Sequence, residues 1–174
     1  SATPTSISAS SNVYTLGFTL SGTPTGSEVL TVVPVDDGIY DAVGNESSTT
    51  QSNNTVNLND KASPTISSVT ASTANGSYKA GGVIAVQVVF TEAVTVVGTP
   101  QLTLETGGSD AVVNYASGTG GTTLTFNYTV ASGHNSSDLD YAATDALGLN
   151  GGTIKDAAGN NANLDMAQPG ATNS

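Results

Sequence analysis

The segment TLTFNYTV, residues 123–130, determines the predicted fold because its apolar and polar residues alternate without a break. One face would carry Leu124, Phe126, Tyr128 and Val130, and the other Thr123, Thr125, Asn127 and Thr129. Successive side chains of a β-strand point to opposite faces of the sheet, so this order is typical of a strand with one buried face. Threonine keeps the β propensity of the outer face high while that face stays in water.

The same alternation continues in the segments that precede this strand. Further strands are predicted at VIAVQVVF (83–90), PQLTLET (100–106) and DAVVNYA (110–116). Turns rich in Gly, Ser and Asn separate them. The best candidate for a helix is DYAATDALGL (140–149), and it would be no longer than a turn or two. Many short strands with closely spaced turns predict an all-β protein, an antiparallel β-sandwich.

The composition excludes several classes of function. The chain has 174 residues, of which 10% are charged, and its net charge is −11 with three Lys and Arg in total. Because a phosphate backbone attracts cationic side chains, nucleic acid is not expected as a partner. No apolar run approaches the roughly 20 residues of a membrane helix, so no direct membrane insertion is expected. The absence of Cys excludes disulfides and thiol chemistry.

A five-residue phrase occurs twice, as DAVGN at 41–45 and as DAAGN at 156–160. When the two copies are aligned, VYTLGFTLSG (13–22) falls over TLTFNYTVASG (123–133), and both end in Ser-Gly. The chain therefore contains one module in two versions, of which the first lacks its early strands.

This alignment predicts four parts. Residues 1–60 are the C-terminal part of a β-sandwich module, 61–64 a short linker, 64–166 a complete module, and 167–174 a tail or the start of a next linker. Pro64 restrains the linker because it lacks an N–H and holds the preceding residue in an extended conformation. A sandwich without its early strands exposes open edges, so either the chain is a window of a longer array or another chain supplies the missing strands.

The runs VVFTEAVTVVGTPQLTLETGG (88–108) and LDYAATDALGLNGGTIKDAAGNNANL (139–164) carry a family resemblance. They resemble the bacterial Ig-like tandem repeats of large cell-surface adhesins, the RTX-adhesin-like extender proteins. The resemblance implies an Ig-like antiparallel β-sandwich that is extracellular, at the cell surface, and non-catalytic. It also implies neighbouring repeats of the same protein as partners, with Ca²⁺ often stiffening the junctions.

Several acidic residues are candidate Ca²⁺ ligands, because Ca²⁺ prefers oxygen donors on Gly-containing turns. The candidates are Asp36, Asp37, Asp41, Asp60, Glu92 and Asp156. Asp60 lies in the predicted linker, and Glu92 directly follows a predicted strand, so that it should lie at one end of the sandwich. The alternative is that Asp and Asn simply form solvated turns, since their side chains cap their own backbone.

Catalysis is not expected. Asp138 and Asp140 would share a face of an extended strand, as in a glycosidase pair, but such a pair needs a cleft and usually aromatic platforms. His134 is the single histidine and lies in a turn, where a surface role is the ordinary one.

The predicted function is a structural extender or stalk segment of a large bacterial adhesin or filament. One alternative is a self-assembling filament subunit, completed by strands from a neighbouring, identical chain. Another is a carbohydrate- or protein-binding module, which would use exposed aromatic residues such as Tyr40, Tyr78 and Tyr141.

Overall fold

A computed structural model describes residues 3–11, 13–172 and 174. The chain divides into two compact units, Ser1–Ala62 (unit 1) and Ser63–Ser174 (unit 2). Among the described residues every regular element is a β-strand, which confirms the predicted all-β class. None of these residues belongs to a helix long and apolar enough to cross a bilayer.

Unit 1 contains four short strands and unit 2 contains eight. In chain order they are β1 (Ser6–Ser10), β2 (Val13–Gly17), β3 (Val29–Thr31), β4 (Thr55–Asn57), β5 (Ile66–Ala71), β6 (Val83–Val97), β7 (Gln101–Glu105), β8 (Ala111–Ser117), β9 (Gly121–Thr129), β10 (Asp140–Tyr141), β11 (Leu147–Gly148) and β12 (Thr153–Lys155).

The strands of unit 2 form one antiparallel sheet that curls into a sandwich-like fold. Its order is β10-β7-β8-β9-β6-β12, with β5 also paired to β6 and β11 to β7. Two strands each pair in succession with different neighbours. The first part of β6 pairs with β5 and β9, and its last residues pair with β12. β8 pairs first with β7 and then with β9.

Each of these two strands has a register shift in the part that pairs with β9. One shift lies between Val89 and Val94 of β6, and another between Tyr115 and Ser117 of β8. Extra residues at such bulges bend a strand and increase its twist. The sheet can therefore fold over its own apolar face instead of remaining open.

The core of unit 2 lies inside this curl. Leu124 and Phe126 of β9 are fully buried and Tyr128 is nearly so, which confirms the face predicted from the alternation, while Val130 is half-buried. Opposite them, Val88 pairs with Leu124, and Val86 with Phe126. Burial of these side chains supplies the main stabilising term, at about 25 cal/mol per Å² of apolar surface.

Two local predictions were wrong. The segment 140–149 contains the short strands β10 and β11, not a helical turn, because both pair with β7 and bury Tyr141 and Leu147 in the core. β6 continues to Val97 instead of ending at Phe90. The bulge lets β6 continue to β12 beyond its pairing with β9. Pairing with β12 therefore lengthens the strand past the end that the sequence pattern predicted.

Unit 1 has strands but no core in its described part. β1 and β2 form one hairpin, and β3 pairs with β4. No described residue before Ser63 is buried, and apolar side chains such as Ile7, Tyr14 and Val29 are exposed. That unit 1 is the end of a sandwich module stays a prediction.

Truncation of aligned side chains should affect the stability of the two units to different degrees. Leu124→Ala should lower the free energy of unfolding by about 2–5 kcal/mol, because a fully buried side chain leaves a cavity. Tyr14→Ala, at the aligned position of unit 1, should change it by less than about 0.5 kcal/mol, because Tyr14 is 62% exposed. Urea unfolding followed by circular dichroism measures both. Equal losses would show that unit 1 has a packed core.

Candidate functional site

The loop DAAGN at 156–160 is closed by hydrogen bonds from Asn160 to Asp156. The Asn160 backbone N–H donates to Oδ1 of Asp156 at 2.8 Å, and its side-chain Nδ2 donates to Oδ2 at 2.7 Å. The Asp156 N–H donates to the Asn160 carbonyl at 3.1 Å, and the Gly159 N–H to the Asp156 carbonyl at 3.3 Å. Gly159 has φ = 92°, a left-handed conformation that favours glycine.

The loop DAVGN at 41–45 repeats these contacts one by one. Asn45 donates to the Asp41 carboxylate through its N–H and its Nδ2, each at 2.8 Å. The Asp41 N–H donates to the Asn45 carbonyl at 2.9 Å, and the Gly44 N–H to the Asp41 carbonyl at 3.1 Å. Gly44 has φ = 89°. Asp, Gly and Asn are each used by the loop itself, which is the structural reason that the phrase occurs twice.

The hydrogen bonds also determine the charge of the two aspartates. The side chain of Asn45, with its backbone N–H, lowers the pKa of Asp41. Burial acts to raise the pKa of Asp156, but hydrogen bonds from the side chain and backbone of Asn160 outweigh it, so that this pKa is lowered as well. Both carboxylates are therefore anionic at neutral pH, and in unit 2 the residue that carries the charge is buried, since Asp156 is 6% exposed.

Unit 2 brings two of the predicted ligands together. A carboxylate oxygen of Glu92 lies within 4.8 Å of one of Asp156. The prediction that Glu92 directly follows a strand was wrong. Glu92 lies inside β6, in the same alternation as the buried Phe90 and Val94. Counting every second residue along an extended β6 would have identified this inward position. Two neighbouring carboxylates repel each other, which favours a bound cation between them.

The four remaining candidates lie in unit 1. Asp36, Asp37 and Asp41 are exposed, and in the described part of the chain they do not form a group whose carboxylates could share one ion. Asp37 Oδ1 accepts the Tyr40 hydroxyl at 2.5 Å. Asp60 is half-buried, and its Oδ1 accepts the Ala62 N–H at 2.9 Å. Their role as ligands stays a prediction.

A groove of about 770 Å³ lies at one end of unit 2, between the β5–β6 and β9–β10 loops. Polar atoms predominate in its lining, which includes Tyr78, His134 and Asp138. His134 Nδ1 is 2.8 Å from the Tyr128 hydroxyl, and the two rings stack with centroids 5.9 Å apart. Burial raises the pKa of Tyr128, and its phenol O–H can donate this hydrogen bond.

Sequence analysis did not predict this stacked pair. The relevant signal is a Tyr in an inward position of β9 followed, six residues later, by a His after a Ser-Gly turn. The Ser136 hydroxyl donates to the Asp138 carbonyl at 2.8 Å and not to His134. In this arrangement Ser136 is therefore not hydrogen-bonded to His134.

The two carboxylates considered as a glycosidase pair have different surroundings. Asp138 is exposed, whereas Asp140 is half-buried in β10. Oδ1 of Asp140 accepts the Tyr141 N–H at 2.8 Å, and its Oδ2 accepts the Gly170 N–H at 2.6 Å. Asp140 thus holds the C-terminal segment against β10 by a hydrogen bond. Tyr141, proposed as an exposed aromatic, is in fact buried in the core.

Comparisons with family models, with curated proteins and with solved structures gave no match for this chain. The candidate sites are therefore interpreted from their geometry and chemistry.

Removal of the asparagine should have unequal effects in the two loops. Asn160→Ala should lower the free energy of unfolding by about 1–3 kcal/mol, because the buried Asp156 carboxylate loses a donor that water cannot easily replace. Asn45→Ala should have a smaller effect, since water reaches the exposed Asp41. Urea denaturation of both variants tests this difference. A larger loss for Asn45→Ala would contradict it.

Proposed function

We propose that this chain is a non-catalytic, structural extender segment of a large extracellular surface protein, built from Ig-like sandwich modules. The observation that carries the proposal is the path of the chain through unit 2, which it enters at one end and leaves at the other. Modules with ends so placed lengthen an array when they are joined in series.

The two ends of unit 2 can be identified from contacts within it. At the entry, the Thr65 N–H donates to the Thr91 side chain, and Ile66 pairs with Phe90. β5 then runs to Ala71, which lies beside the groove at the opposite end. The last segment follows the same direction, since Asn163 bridges Thr65 at the entry and Ser174 lines the groove.

This arrangement also resists tension. Thr65 and Asn163 form a parallel bridge, and the Asn163 N–H donates to the Pro64 carbonyl at 2.8 Å. A force that pulls the two ends of unit 2 apart would slide the first segment against the last. Hydrogen bonds and packing between them would then be loaded together, in shear, and not one after another.

The surface chemistry agrees with an extracellular spacer. A net charge of −11 disfavours contact with anionic polymers, and the lack of Cys makes the fold independent of redox conditions. The polar face of β9, which is half-buried at Thr123 and Thr125 and exposed at Asn127 and Thr129, keeps β propensity without creating an apolar patch. The resemblance to bacterial Ig-like adhesin repeats supports the same role and the cell surface as its place.

A carbohydrate- or protein-binding module is the second candidate, and the groove of unit 2 is the observation in its favour. Tyr78 is exposed at the groove and could stack on a ligand. Tyr141 is buried, however, and the Tyr128 ring is already stacked on His134. The groove therefore offers little aromatic surface, and we prefer the extender function.

Single-molecule stretching tests the mechanical role. A polyprotein with several copies of this chain, pulled from its ends, should give repeated force peaks. Each unfolding of unit 2 should release contour length on the order of 350 Å, because an extended residue spans at most about 3.6 Å.

Asn163→Pro, which removes the N–H donated to Pro64, should lower the peak force. The control variant is Thr65→Ser, which keeps the backbone bridge. Extension without force peaks would contradict the proposal.

A calcium titration tests the predicted ligands. If Ca²⁺ binds the folded state, its Tm should rise by a few degrees between EDTA and millimolar Ca²⁺, with about 2.7 kcal/mol gained at a concentration of 100 Kd. Glu92→Gln should abolish the rise because the carboxylate pair with Asp156 is lost. Asp60→Asn tests the linker prediction in the same assay, and Asp138→Asn, at an exposed acid, is the control. An identical Tm in EDTA and Ca²⁺ would reject the metal site.

A further inference from the structure

The β1–β2 hairpin of unit 1 has an open edge. β2 pairs with β1 along its whole length, from Val13 with Ser10 to Gly17 with Ser6. Within the described part of unit 1, no other strand pairs with β2. Its second edge therefore presents unpaired N–H and C=O groups, and Tyr14 on its apolar face is exposed.

Unit 2 contains the corresponding hairpin, β8–β9, with that edge occupied. The alignment of 13–22 with 123–133 places Tyr14 at Leu124 and Leu16 at Phe126. In unit 2 the edge of β9 pairs antiparallel with β6 from Val83 to Val89. The same chain thus shows which kind of segment fits such an edge.

Corresponding apolar side chains are far more exposed in unit 1 than in unit 2. Leu124 is fully buried in unit 2, whereas Tyr14 is 62% exposed. Next to the repeated loops, Ile154 is 2% exposed and Ile39 is 46% exposed. Their backbone contacts are nevertheless alike, since Ala162 N–H donates to the Ile154 carbonyl at 2.9 Å and Ser47 N–H to the Ile39 carbonyl at 2.8 Å. The local structure is present in both units, but in the described part of unit 1 no strand covers it.

The open edge also lacks the usual protection against pairing. Proteins commonly guard exposed edge strands with charged side chains, proline or bulges. Residues 1–27 contain no charged residue, and neither β1 nor β2 contains proline. Although the whole chain is strongly acidic, this surface would not repel an uncharged strand. Such an edge is suited to being occupied.

We propose that the open edge of β2 is a strand-accepting site for an extended polypeptide segment of the β6 type. The segment would pair antiparallel with β2 through main-chain hydrogen bonds, as in β-strand addition. It would carry β-branched or aromatic residues at every second position, as Ile84, Val86, Val88 and Phe90 do in β6. By analogy with the register of unit 2, the Val88 position would lie opposite Tyr14 and the Val86 position opposite Leu16. This inference rests on unit 1 alone and holds whether or not the chain is an extender.

A labelled peptide with the sequence of residues 83–92, made soluble by terminal lysines, tests the site on the full chain. Fluorescence anisotropy measures its binding, and hydrogen–deuterium exchange locates it. Binding should slow the exchange of the amides of residues 13–17. A Val88→Pro peptide is the control ligand, because proline removes a ladder N–H and disrupts strand pairing.

Two neighbouring variants distinguish the apolar face from the opposite one. Tyr14→Lys should weaken peptide binding by about tenfold or more, because its charge would face the apolar residues of the added strand. Thr15→Lys adds the same charge on the other face and should change the affinity by less than about threefold. Both side chains are exposed, so neither variant should unfold the chain.

The remaining outcomes would overturn the proposal. These are a peptide that does not bind, binding that Tyr14→Lys or Val88→Pro leaves unchanged, and protection of amides outside β2. A dimer in sedimentation that Tyr14→Lys dissociates, without any peptide binding, would assign the edge to a second copy of this chain instead.

Discussion

The pairing of β6 with β9 is the interaction on which unit 2 depends. Main-chain hydrogen bonds hold the two strands side by side, and their alternating apolar residues form the centre of the core. Because side chains repeat with a period of two, a slip of one residue would expose this whole apolar set to solvent. β6 also holds β5 and, beyond its bulge, β12. One long strand thus positions β5, β9 and β12.

A comparison of the two units distinguishes structure that local hydrogen bonds determine from structure that depends on contacts distant in sequence. The Asp-x-x-Gly-Asn loop forms in both, because its hydrogen bonds join residues at most four positions apart. Burial of the residues beside it depends on strands that are distant in sequence. Asp156 is buried and Asp41 is exposed, although their carboxylates have the same asparagine partners. Identical local chemistry therefore gives a core only where the remote strands are present.

Sequence alternation was sufficient to predict the central strands, because their two faces meet core and water. It could not predict the extent of β6, since the pairing of Thr95 to Val97 depends on where β12 lies. In 140–149 the short-range pattern suggested a helical turn, but pairing with β7 overrode it. The site was predicted less well. Glu92 and Asp156 were both named, but their proximity results from tertiary structure, as does the stacking of His134 on Tyr128.

An extender must transmit tension through each of its units, and this requirement connects the two proposals. A hairpin such as β1–β2 has its ends side by side, so a force on those ends would break its hydrogen bonds one at a time. Unit 2 avoids this weakness because its first and last segments run parallel and meet at Thr65 and Asn163. Unit 1 has no equivalent described contact within its two strand pairs. A strand added along β2 would extend the sheet and load its hydrogen bonds together. Under the two proposals, the open edge of β2 is therefore the place where a further segment would join the array.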